Sequence, residues 1–598
     1  MPARIPKTPF LGAAFSAPVV DPPGLAAIYF LSMPDNRELF LKLWQEEREI
    51  PEKIALLKQK FGDEAGRMAE AELGIPFSLF NSAGIIGPEE SLIIPGGEFN
   101  VPFDIKIEPG GELVISPGTT LKFAKEKGIL CYGLLRIIGN PESRIVLDAV
   151  NPEDGWAGVR VEGPDTWGSI LSLCDIKNAR GVVYPGEEST FGGGLVIADT
   201  KIIKVHNCRI TNCSADYGGA LFAAGCVDLE LVSNTFMDCQ ARVGAGVALA
   251  ECVGVALESN KIYKNKGSEA STGAGVMITD CQNAIMVGND IRNNSCNAGA
   301  GTMILGSHRV FLEENLFFQN TAEAGSEESS GDANGGGLAV AECKSIDINK
   351  CQFIANTADA GGGFIVMRST GIRVVDNIIT ENSAAGSEES SGGGAFFGDV
   401  SDTRLERNRF ENNFAPMGGG FVALYSPRFT AVSNIIARNT GRTGGGGSTL
   451  FECNNAVLSD NEFSSNAGFQ GGGLFVNSCA RIKIESNRFR ANHAGPQEDS
   501  AGGGLAVISS KRASILKNEF RDNVSVIAGA LVVVQCKNPT VKSNHFVTNK
   551  GVAGIVAFME CEGGKLERNS FVGNEVMSDD VVIQSDSEIS QTDNSVED

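Results

Sequence analysis

Residues that could act as acids, bases or metal ligands are spread thinly along this chain. It has four histidines, no two of them close in sequence: His206, His308, His493 and His545. One adjacent carboxylate pair, Asp579-Asp580, lies near the C-terminal end. Glycosidic-bond hydrolysis needs two carboxyl groups, one to protonate the leaving oxygen and one to activate water. No local motif supplies such a pair beside a base, so catalysis would require residues brought together from distant segments.

The fifteen cysteines are the other candidates for chemistry. Many of them occupy one position of a repeat, a position that serine takes in other copies. The cysteines are Cys226, Cys252, Cys281, Cys343, Cys453, Cys479, Cys536 and Cys561, and the serines are Ser307, Ser369, Ser426 and Ser510. Because that position accepts Cys or Ser, it favours a small buried side chain over a ligand. We expect structural thiols in a reducing compartment, with a Cys226–Cys252 disulfide or a metal site as open alternatives.

A repeat of about 26 residues positions these side chains between roughly residues 192 and 574. Each copy reads Gly-Gly, four or five mostly apolar residues, Cys or Ser, a short alternating strand, Asn-x-Phe and a second Asn. The steps from Cys226 to Cys252 and from Asn234 to Asn260 are both 26 residues. A fixed period in the twenties with strand signals and no helix signal is typical of a solenoid.

Two columns of asparagine run through the copies, five residues apart. The first column is Asn234, Asn260, Asn289, Asn315, Asn377, Asn408, Asn434, Asn461, Asn487, Asn518, Asn544 and Asn569, with Cys208 and Cys351 in two copies. The second column runs from Asn265 to Asn574. Residues repeated once per coil stack at the spacing of paired strands, roughly 4.8 Å. We expect the amides to hydrogen-bond along each column, the asparagines to adopt the left-handed turn conformation, and the Phe residues between them to stack.

These motifs resemble those of the right-handed parallel β-helix, or pectin-lyase-like, superfamily. Gly218-Gly219-Ala220-Leu221 and Phe353-Ile354-Ala355-Asn356 also resemble repeats of the chlamydial polymorphic outer membrane proteins. The resemblance covers roughly two thirds of the chain and implies an all-β, right-handed parallel β-helix solenoid. It implies little about activity, because this scaffold hosts lyases, hydrolases, adhesins and inert spacers. Of the motifs typical of the hydrolases, Arg481-Ile482-Lys483 matches an Arg-x-Lys segment, but its acidic partners are not evident in the sequence.

The sequence predicts four segments. Residues 1–35 form an irregular N-terminal arm, and residues 36–76 a short helical cap or cover, because apolar residues between Ile54 and Met68 recur at helical spacing. Residues 77–576 form the β-helix. Residues 577–598 contain acidic residues without Lys or Arg after Met577 and are expected to be an acidic disordered tail.

Charge and composition exclude several classes of partner. The net charge of −23 argues against nucleic acid as a partner. No run approaches the roughly 20 apolar residues of a transmembrane segment. No cofactor motif is present. Two acidic insertions with the same sequence, Gly325–Gly331 and Gly386–Gly392, lack the Asp-x-Asp spacing of calcium loops, so we expect neither cofactor nor metal. The free thiols and the prolines that interrupt Met1–Val20 favour the cytoplasm, with the cell surface as the alternative.

The strand that follows Gly-Gly is apolar at alternate positions on both faces. If Leu338 and Val340 point inward, a second apolar column points outward. We predict a partner-binding face at Phe222, Met277, Met303, Ile365, Met367, Phe396, Val422, Phe451, Phe475, Ile508 and Val532. A sheet apolar on both faces is usually covered on both. The candidates for the cover are the N-terminal helical segment and another chain, which could be a second copy or a partner protein.

A basic stripe is the second candidate surface. Alternation in the strand before the first Asn column places several bases outward: Arg373, Arg404, Arg428, Arg481, Lys483 and Arg512. They could bind an acidic polysaccharide. Glu406, Glu485 and Glu567 follow two residues after Arg404, Lys483 and Lys565 and could pair with them along the strand. An ordinary solvated face is therefore the alternative to a binding surface.

The preferred function from sequence is a non-catalytic structural or interaction β-helix whose apolar sheet face serves self-assembly or the binding of a partner protein. The alternative is a carbohydrate-active or glycan-binding β-helix, lyase-like or hydrolase-like, acting on an acidic polysaccharide. An enzyme would need carboxylates with perturbed pKa values in a groove near the basic stripe.

Overall fold

The structure is a computed structural model of the chain. The described residues are 84–183, 186, 188–323, 334–495, 499–577 and 580–597, without the side chain of Glu269. The predicted N-terminal arm (1–35) and helical cap or cover segment (36–76) lie outside the described residues. The chain divides into two compact units. Their described parts are 84–268 with 274–277 in the N-terminal unit and 269–273 with 278–597 in the C-terminal unit.

In the N-terminal unit, each coil adds one strand to each of three parallel sheets, named sheet 1, sheet 2 and sheet 3 in chain order. Sheet 1 contains Ile85–Ile86, Ile105–Ile107, Gly128–Cys131, Gly158–Glu162, Leu195–Ala198, Leu221–Ala224 and Val247–Ala250. Sheet 2 contains Ser91–Ile94, Glu112–Ile115, Leu134–Ile138, Ile170–Ser172, Lys204–His206, Glu230–Val232 and Ala256–Glu258. Sheet 3 contains Gly97–Val101, Thr119–Phe123, Ile145–Ala149, Cys174–Lys177, Arg209–Thr211, Thr235–Met237 and Lys261–Tyr263, and a short 3₁₀ helix lies at Pro164–Thr166.

The C-terminal unit repeats these three strands in each coil, and many coils carry a fourth short strand: Ser295–Cys296, Thr321–Ala322, Thr357–Ala358, Ser383–Ala384, Ala467–Gly468, His493–Ala494, Val524–Ser525, Lys550–Gly551 and Glu575–Val576. Sheet 1 contains Thr302–Leu305, Leu338–Ala341, Phe364–Met367, Ala395–Gly398, Phe421–Leu424, Ser448–Phe451, Leu474–Asn477, Leu505–Ile508, Ala528–Val534, Gly554–Met559 and Val582–Ser585. Sheet 2 contains Ile285–Val287, His308–Glu313, Lys344–Asn349, Thr370–Val375, Arg404–Glu406, Thr430–Val432, Val457–Ser459, Lys483–Glu485, Ser514–Leu516, Thr540–Lys542, Gly564–Glu567 and Ile589–Thr592. Sheet 3 contains Asp290–Arg292, Leu316–Phe318, Gln352–Ile354, Ile378–Thr380, Arg409–Glu411, Ile435–Ala437, Glu462–Ser464, Arg488–Arg490, Glu519–Arg521, His545–Val547, Ser570–Val572 and Ser595–Glu597.

The alternation of side chains fills the core of each coil. In sheet 2, Ile348, Val374 and Leu405 point inward and are fully buried, and their neighbours in the strand point outward. The predicted Phe stack is confirmed beside sheet 3. The rings of Phe463 and Phe489 are nearly parallel with their centroids 4.9 Å apart, and the same stacking continues through Phe520, Phe546 and Phe571. The structure therefore confirms the predicted all-β parallel β-helix.

The asparagine columns form the predicted ladders. The Asn408 Oδ1 accepts from the backbone N–H of Asn377 at 3.0 Å and from its Nδ2 at 2.9 Å, and the Asn408 Nδ2 donates to Asn434 Oδ1 at 3.0 Å. The expectation that the ladder asparagines adopt the left-handed conformation is wrong. The residue just before the ladder position adopts it, as Arg407 does with φ 53° and Ser433 with φ 54°. The reason is that the ladder Asn must point its amide into the coil, so the preceding residue makes the sharp turn.

The cysteines are structural thiols. All fifteen lie among the described residues, where they are buried and form no disulfide. The Cys and Ser side chains of the shared position hydrogen-bond to the backbone of the neighbouring coil, as where the Cys343 N–H donates to Ser369 Oγ at 3.0 Å. Burial raises the pKa of Cys343 to about 12, so its sulfur stays protonated and unreactive at neutral pH.

The C-terminal end differs from its prediction. Residues 577–598 were expected to be a disordered acidic tail, but Val582–Ser585, Ile589–Thr592 and Ser595–Glu597 add one strand to each sheet. Asn594 continues the ladder, because its Oδ1 accepts from the backbone N–H of Asn569 at 2.9 Å. The paired backbone of the preceding coil offsets the unfavourable acidic composition of this segment.

Candidate functional site

The predicted partner-binding face is largely closed. Seven of its residues are buried and four are half-buried. The buried residues are Phe222, Met277, Met303, Ile365, Phe396, Val422 and Val532, and the half-buried residues are Met367, Phe451, Phe475 and Ile508. We expected the N-terminal helical segment or another chain to cover this column, and the structure shows seven of its side chains buried.

The segment before each strand of sheet 1 folds back over the outward column. Gly418 has φ 62°, and a Cβ added there would lie 2.3 Å from Val422 Cγ2. Likewise, Val532 packs in a cluster with Ala501 and Ala528, which precede glycines of the Gly-Gly turns. Phe191, which precedes Gly192, packs against Phe222 in the same way, with ring centroids 5.0 Å apart. The Gly-Gly turns therefore bring small residues and backbone against the apolar column.

The predicted basic stripe divides into two sets. Arg373, Arg404 and Lys483 point outward from strands of sheet 2, as expected. Contrary to expectation, the other three are not strand residues. They occupy left-handed turn positions before the strand: Arg428, Arg481 and Arg512, with φ between 55° and 58°. Alternation within the strand could not place them, because the turn interrupts the period of two.

Most bases of the stripe have polar partners. Arg404 donates to Glu406 at 2.7 Å and Lys483 is paired with Glu485 at 2.5 Å, which confirms the predicted pairing along the strand. Lys565 and Glu567 are 3.9 Å apart. Two of the turn arginines also have partners: Arg428 forms a two-pronged contact with Asp402 at 2.7 and 3.0 Å, and the Arg481 Nε donates to Asn455 Oδ1 at 2.6 Å. The stripe is thus not a row of uncompensated positive charges.

A groove with a volume of about 200 Å³ lies on the outer face of sheet 2 in the C-terminal unit. It is lined by Phe311, Asp347, Ile348, Asn349, Lys350, Arg373, Val375, Asp376 and Arg407. Pockets that enclose a drug-sized ligand are typically several hundred Å³. This groove would therefore hold part of an extended ligand against the surface and leave the remainder in solvent.

Two columns of side chains line the groove. In the strand column, Phe311, Asp347 and Arg373 are direct neighbours on successive coils. In the turn column, Lys350 and Asp376 adopt the left-handed conformation, and Arg407 follows them on the next coil. The turn column is held by backbone hydrogen bonds, because the Lys350 N–H donates to the Val375 carbonyl at 3.0 Å and the Asp376 N–H to the Glu406 carbonyl at 3.0 Å. Both columns are therefore fixed at the spacing of the coils.

Opposite charges alternate within the groove. The Arg407 guanidinium donates two hydrogen bonds to the Asp376 carboxylate, of 2.8 and 2.9 Å. This guanidinium lowers the pKa of the Asp376 carboxyl below its ordinary value. Lys350 lies 2.9 Å from Glu313, whose hydrogen bond and charge raise the pKa of the lysine. Arg373 is 3.8 Å from Asp347. At neutral pH, Asp376 is ionised and Lys350 is protonated. The groove therefore offers a carboxylate that accepts hydrogen bonds beside an ammonium group that donates them.

This arrangement is suited to binding more than to proton transfer. General acid catalysis needs a carboxyl group that keeps its proton near neutral pH, which means a raised pKa. Asp376 and Glu406 are shifted in the opposite direction by Arg407 and Arg404. Asp199, whose carboxyl pKa is raised by burial and then by Glu162, belongs to the N-terminal unit.

Sequence reasoning identified Arg373 but missed most of the groove. The missing signal is the register of the first Asn column. Phe311, Asp347 and Arg373 each lie four residues before a ladder position, and Lys350, Asp376 and Arg407 each directly precede one. Grouping residues by their distance from the ladder, and not by charge alone, would have assembled both columns.

Family comparison supports the fold. A family model described as "Right handed beta helix region" matches residues 141–271, 243–395, 334–488, 388–523 and 443–596 in overlapping segments. The chain belongs to this family. This match confirms the right-handed β-helix fold that the pectin-lyase-like resemblance implied. The resemblance to the chlamydial proteins stays a prediction.

Individual relatives are distant or partial. The chain is 39% identical over 72 residues to "Protein bark beetle" of Drosophila melanogaster, which is 12% of this chain and 2% of that protein's length. Among solved structures, the periplasmic alginate epimerase AlgG is 11% identical with a TM-score of 0.24, covering 84% of this chain and 85% of its own. The tailspike gp61 of Pseudomonas phage phi297 is 11% identical with a TM-score of 0.25, covering 80% and 77%. We assign no function from similarities at this level.

Two further properties concern the described ranges only. Within them, no three His, Cys, Asp or Glu side chains are grouped so that they could hold a metal ion. No helix in the described part of the chain has the length and apolar character needed to cross a membrane.

Proposed function

We propose that this chain is a non-catalytic, glycan-binding β-helix whose binding site is the groove on the outer face of sheet 2. The observation that supports this proposal is the combination of an aromatic ring, carboxylates and bases on adjacent coils. Phe311 lines the groove together with Asp347 and Asp376, and the bases Lys350 and Arg407 lie on the same coils as these carboxylates or the next.

A sugar matches these side chains chemically. Each hydroxyl both donates and accepts hydrogen bonds, so it is satisfied by a carboxylate on one side and a guanidinium or ammonium on the other. A half-buried aromatic ring such as Phe311 offers an apolar surface to the C–H groups of a sugar ring. The small volume of the groove fits a ligand held along one side, as an extended chain would be.

Direct titration tests the proposal, after a glycan array has supplied a ligand. Wild-type protein and Arg407→Ala are titrated calorimetrically with the best array ligand. The matched control is Arg428→Ala, because Arg428 also adopts the left-handed turn conformation and also grips a carboxylate of the preceding coil with two hydrogen bonds. Loss of the Arg407 side chain should weaken binding at least about tenfold, while the control keeps wild-type affinity. Equal losses in both variants, or no array ligand at all, would contradict a groove site.

Self-association is a second candidate, favoured by the remaining apolar surface of sheet 1. Tyr425 is 52% exposed and its ring meets Phe451 edge-on at 5.7 Å. We propose a second copy of this chain as the occupant, as the apolar-face hypothesis anticipated. Light scattering tests it: a wild-type dimer that Tyr425→Asp converts to a folded monomer would support self-association, and a monomeric wild type would exclude it.

A further inference from the structure

We infer, building on the proposed glycan-binding function, that the ligand of the groove is a neutral oligosaccharide lying across the strands, with successive sugars on successive coils. This differs from the acidic polysaccharide expected from the basic stripe. The inference rests on the charge pattern of the groove and on the register of its coils.

Two neighbouring coils of the groove carry opposite charges in opposite order. On one coil, Asp347 in the strand column is accompanied by Lys350 in the turn column, and on the next coil Arg373 is accompanied by Asp376. These two coils therefore each present one acceptor and one donor, in opposite order, and the next coil adds two bases, Arg404 and Arg407. Adjacent hydroxyls of a sugar ring need such a donor and acceptor side by side.

The bases of the groove already have anionic partners. Lys350 lies within 3.5 Å of both Glu313 and Glu314, and Arg407 holds Asp376 with two hydrogen bonds. A carboxylate on the ligand would have to displace these partners and would stand beside ionised carboxylates. Recognition of an acidic sugar requires bases that are not compensated in this way. Neutral hydroxyls can join these networks without displacing a charge.

The register sets the direction of the ligand. Phe311, Asp347, Arg373 and Arg404 follow one another across four neighbouring strands of sheet 2. At the spacing of paired strands, the three steps from Phe311 to Arg404 span roughly 14 Å. A ligand aligned with this column meets the aromatic ring at one end and then one carboxylate and two bases, so its affinity should depend on its length.

Two oligosaccharide series test the inference by calorimetry. One contains neutral oligomers of glucose and mannose, from disaccharide to hexasaccharide, and the other contains oligogalacturonate and oligomannuronate of the same lengths. Neutral oligomers should bind at least about tenfold more tightly than uronates, with affinity that rises with length up to about four sugars. Their affinity should change less than about twofold between 50 and about 500 mM salt, because no net charge is neutralised.

The variants separate the possible outcomes. Asp376→Asn should weaken neutral oligomers at least about tenfold, while Asp402→Asn, which removes the matching carboxylate outside the groove, should not. Tighter uronate binding that falls with salt and improves in Asp376→Asn would overturn the neutral-ligand inference and leave the glycan-binding proposal intact. Absence of binding by both series, with the wild type folded, would overturn both.

Discussion

The ladder at Asn408 permits a quantitative test of what holds the coils together. Its side chain is fully buried and takes part in four hydrogen bonds. Its Oδ1 accepts from the backbone N–H and the Nδ2 of Asn377, and its Nδ2 donates to the Val374 carbonyl at 2.8 Å and to Asn434 Oδ1. Asn408→Ala removes all four and leaves the buried N–H of Asn377 without its acceptor.

The expected cost follows from these contacts. An unsatisfied buried donor costs about 1–3 kcal/mol, and each further lost hydrogen bond contributes about 1 kcal/mol. The Asn377 Nδ2 limits the loss because it also donates to the Ile348 carbonyl at 2.9 Å. We therefore expect the free energy of opening this region of the C-terminal unit to fall by about 3–5 kcal/mol. Since about 1.4 kcal/mol corresponds to tenfold, exchange of the Asn377 amide hydrogen should accelerate at least about a hundredfold.

Hydrogen exchange measured by mass spectrometry on peptides containing Asn377 is the assay. Asn408→Cys is the matched control, because Cys351 occupies the equivalent position, where it contacts the Asn315 Nδ2 at 3.8 Å and its own N–H donates to Asn377 Oδ1. The cysteine variant should retain most of the protection. Unchanged exchange in Asn408→Ala, or equal acceleration in the two variants, would refute the assignment of stability to the amide ladder.

Further predictions concern the turns, the thiols and the apolar column. Gly418→Ala should lower the free energy of unfolding by about 2–5 kcal/mol, as measured by urea denaturation, because it combines a left-handed backbone with a clash. Gly371→Ala, also left-handed but with its nearest neighbour 3.5 Å away, should cost only about 1–2 kcal/mol, and equal costs would contradict the role of the clash. The pKa of Cys343 is raised from 9.0 to about 12, so its contribution to stability is present below pH 9 and is lost as the pH rises toward 12. Cys343→Ser should reduce the slope of alkaline destabilisation by up to about 1.4 kcal/mol per pH unit, and an unchanged slope would exclude this thiol as its source. Phe396→Asp, at a side chain 9% exposed, should unfold the C-terminal unit by circular dichroism, whereas Tyr425→Asp should not; a folded Phe396→Asp protein would show that the column is open.

The coil and its ladders were predictable because they depend on one residue type recurring at one position. Most repeat copies place this amide against the amide of the next coil, so the period can be read from successive asparagines such as Asn408 and Asn434. The left-handed turn position was not predictable. Residues as different as Arg407, Asp376 and Ser433 occupy it, because an inter-coil hydrogen bond such as Arg407 N–H to the Val432 carbonyl offsets the unfavourable backbone conformation.

Alternation in sheet 1 predicts an outward apolar column but does not say what covers it. The pattern around Val422 shows that both faces of the strand are apolar. It does not show that Gly418 folds back over that side chain. Whether a neighbouring turn covers a side chain depends on the path of the chain in space. Alternation along a strand does not encode that path.

Insertions concealed the groove. The step from Asn315 to Cys351 is 36 residues and the step from Asn377 to Asn408 is 31, so counting by 26 separates residues that are neighbours in space. The last coil was concealed by composition. Its acidic residues suggested disorder, although Asn594 lies 25 residues after Asn569 and continues the ladder.

The most direct test of glycan recognition at the groove is a hydrogen-exchange footprint of the full chain with and without a neutral hexasaccharide at saturating concentration. Protection is predicted in peptides covering residues 308–314, 344–350, 370–376 and 404–407, because these strands and turns form the two columns of the groove. Protection confined to sheet 1, around Tyr425 and Phe451, would contradict the account and place the binding surface on the other face.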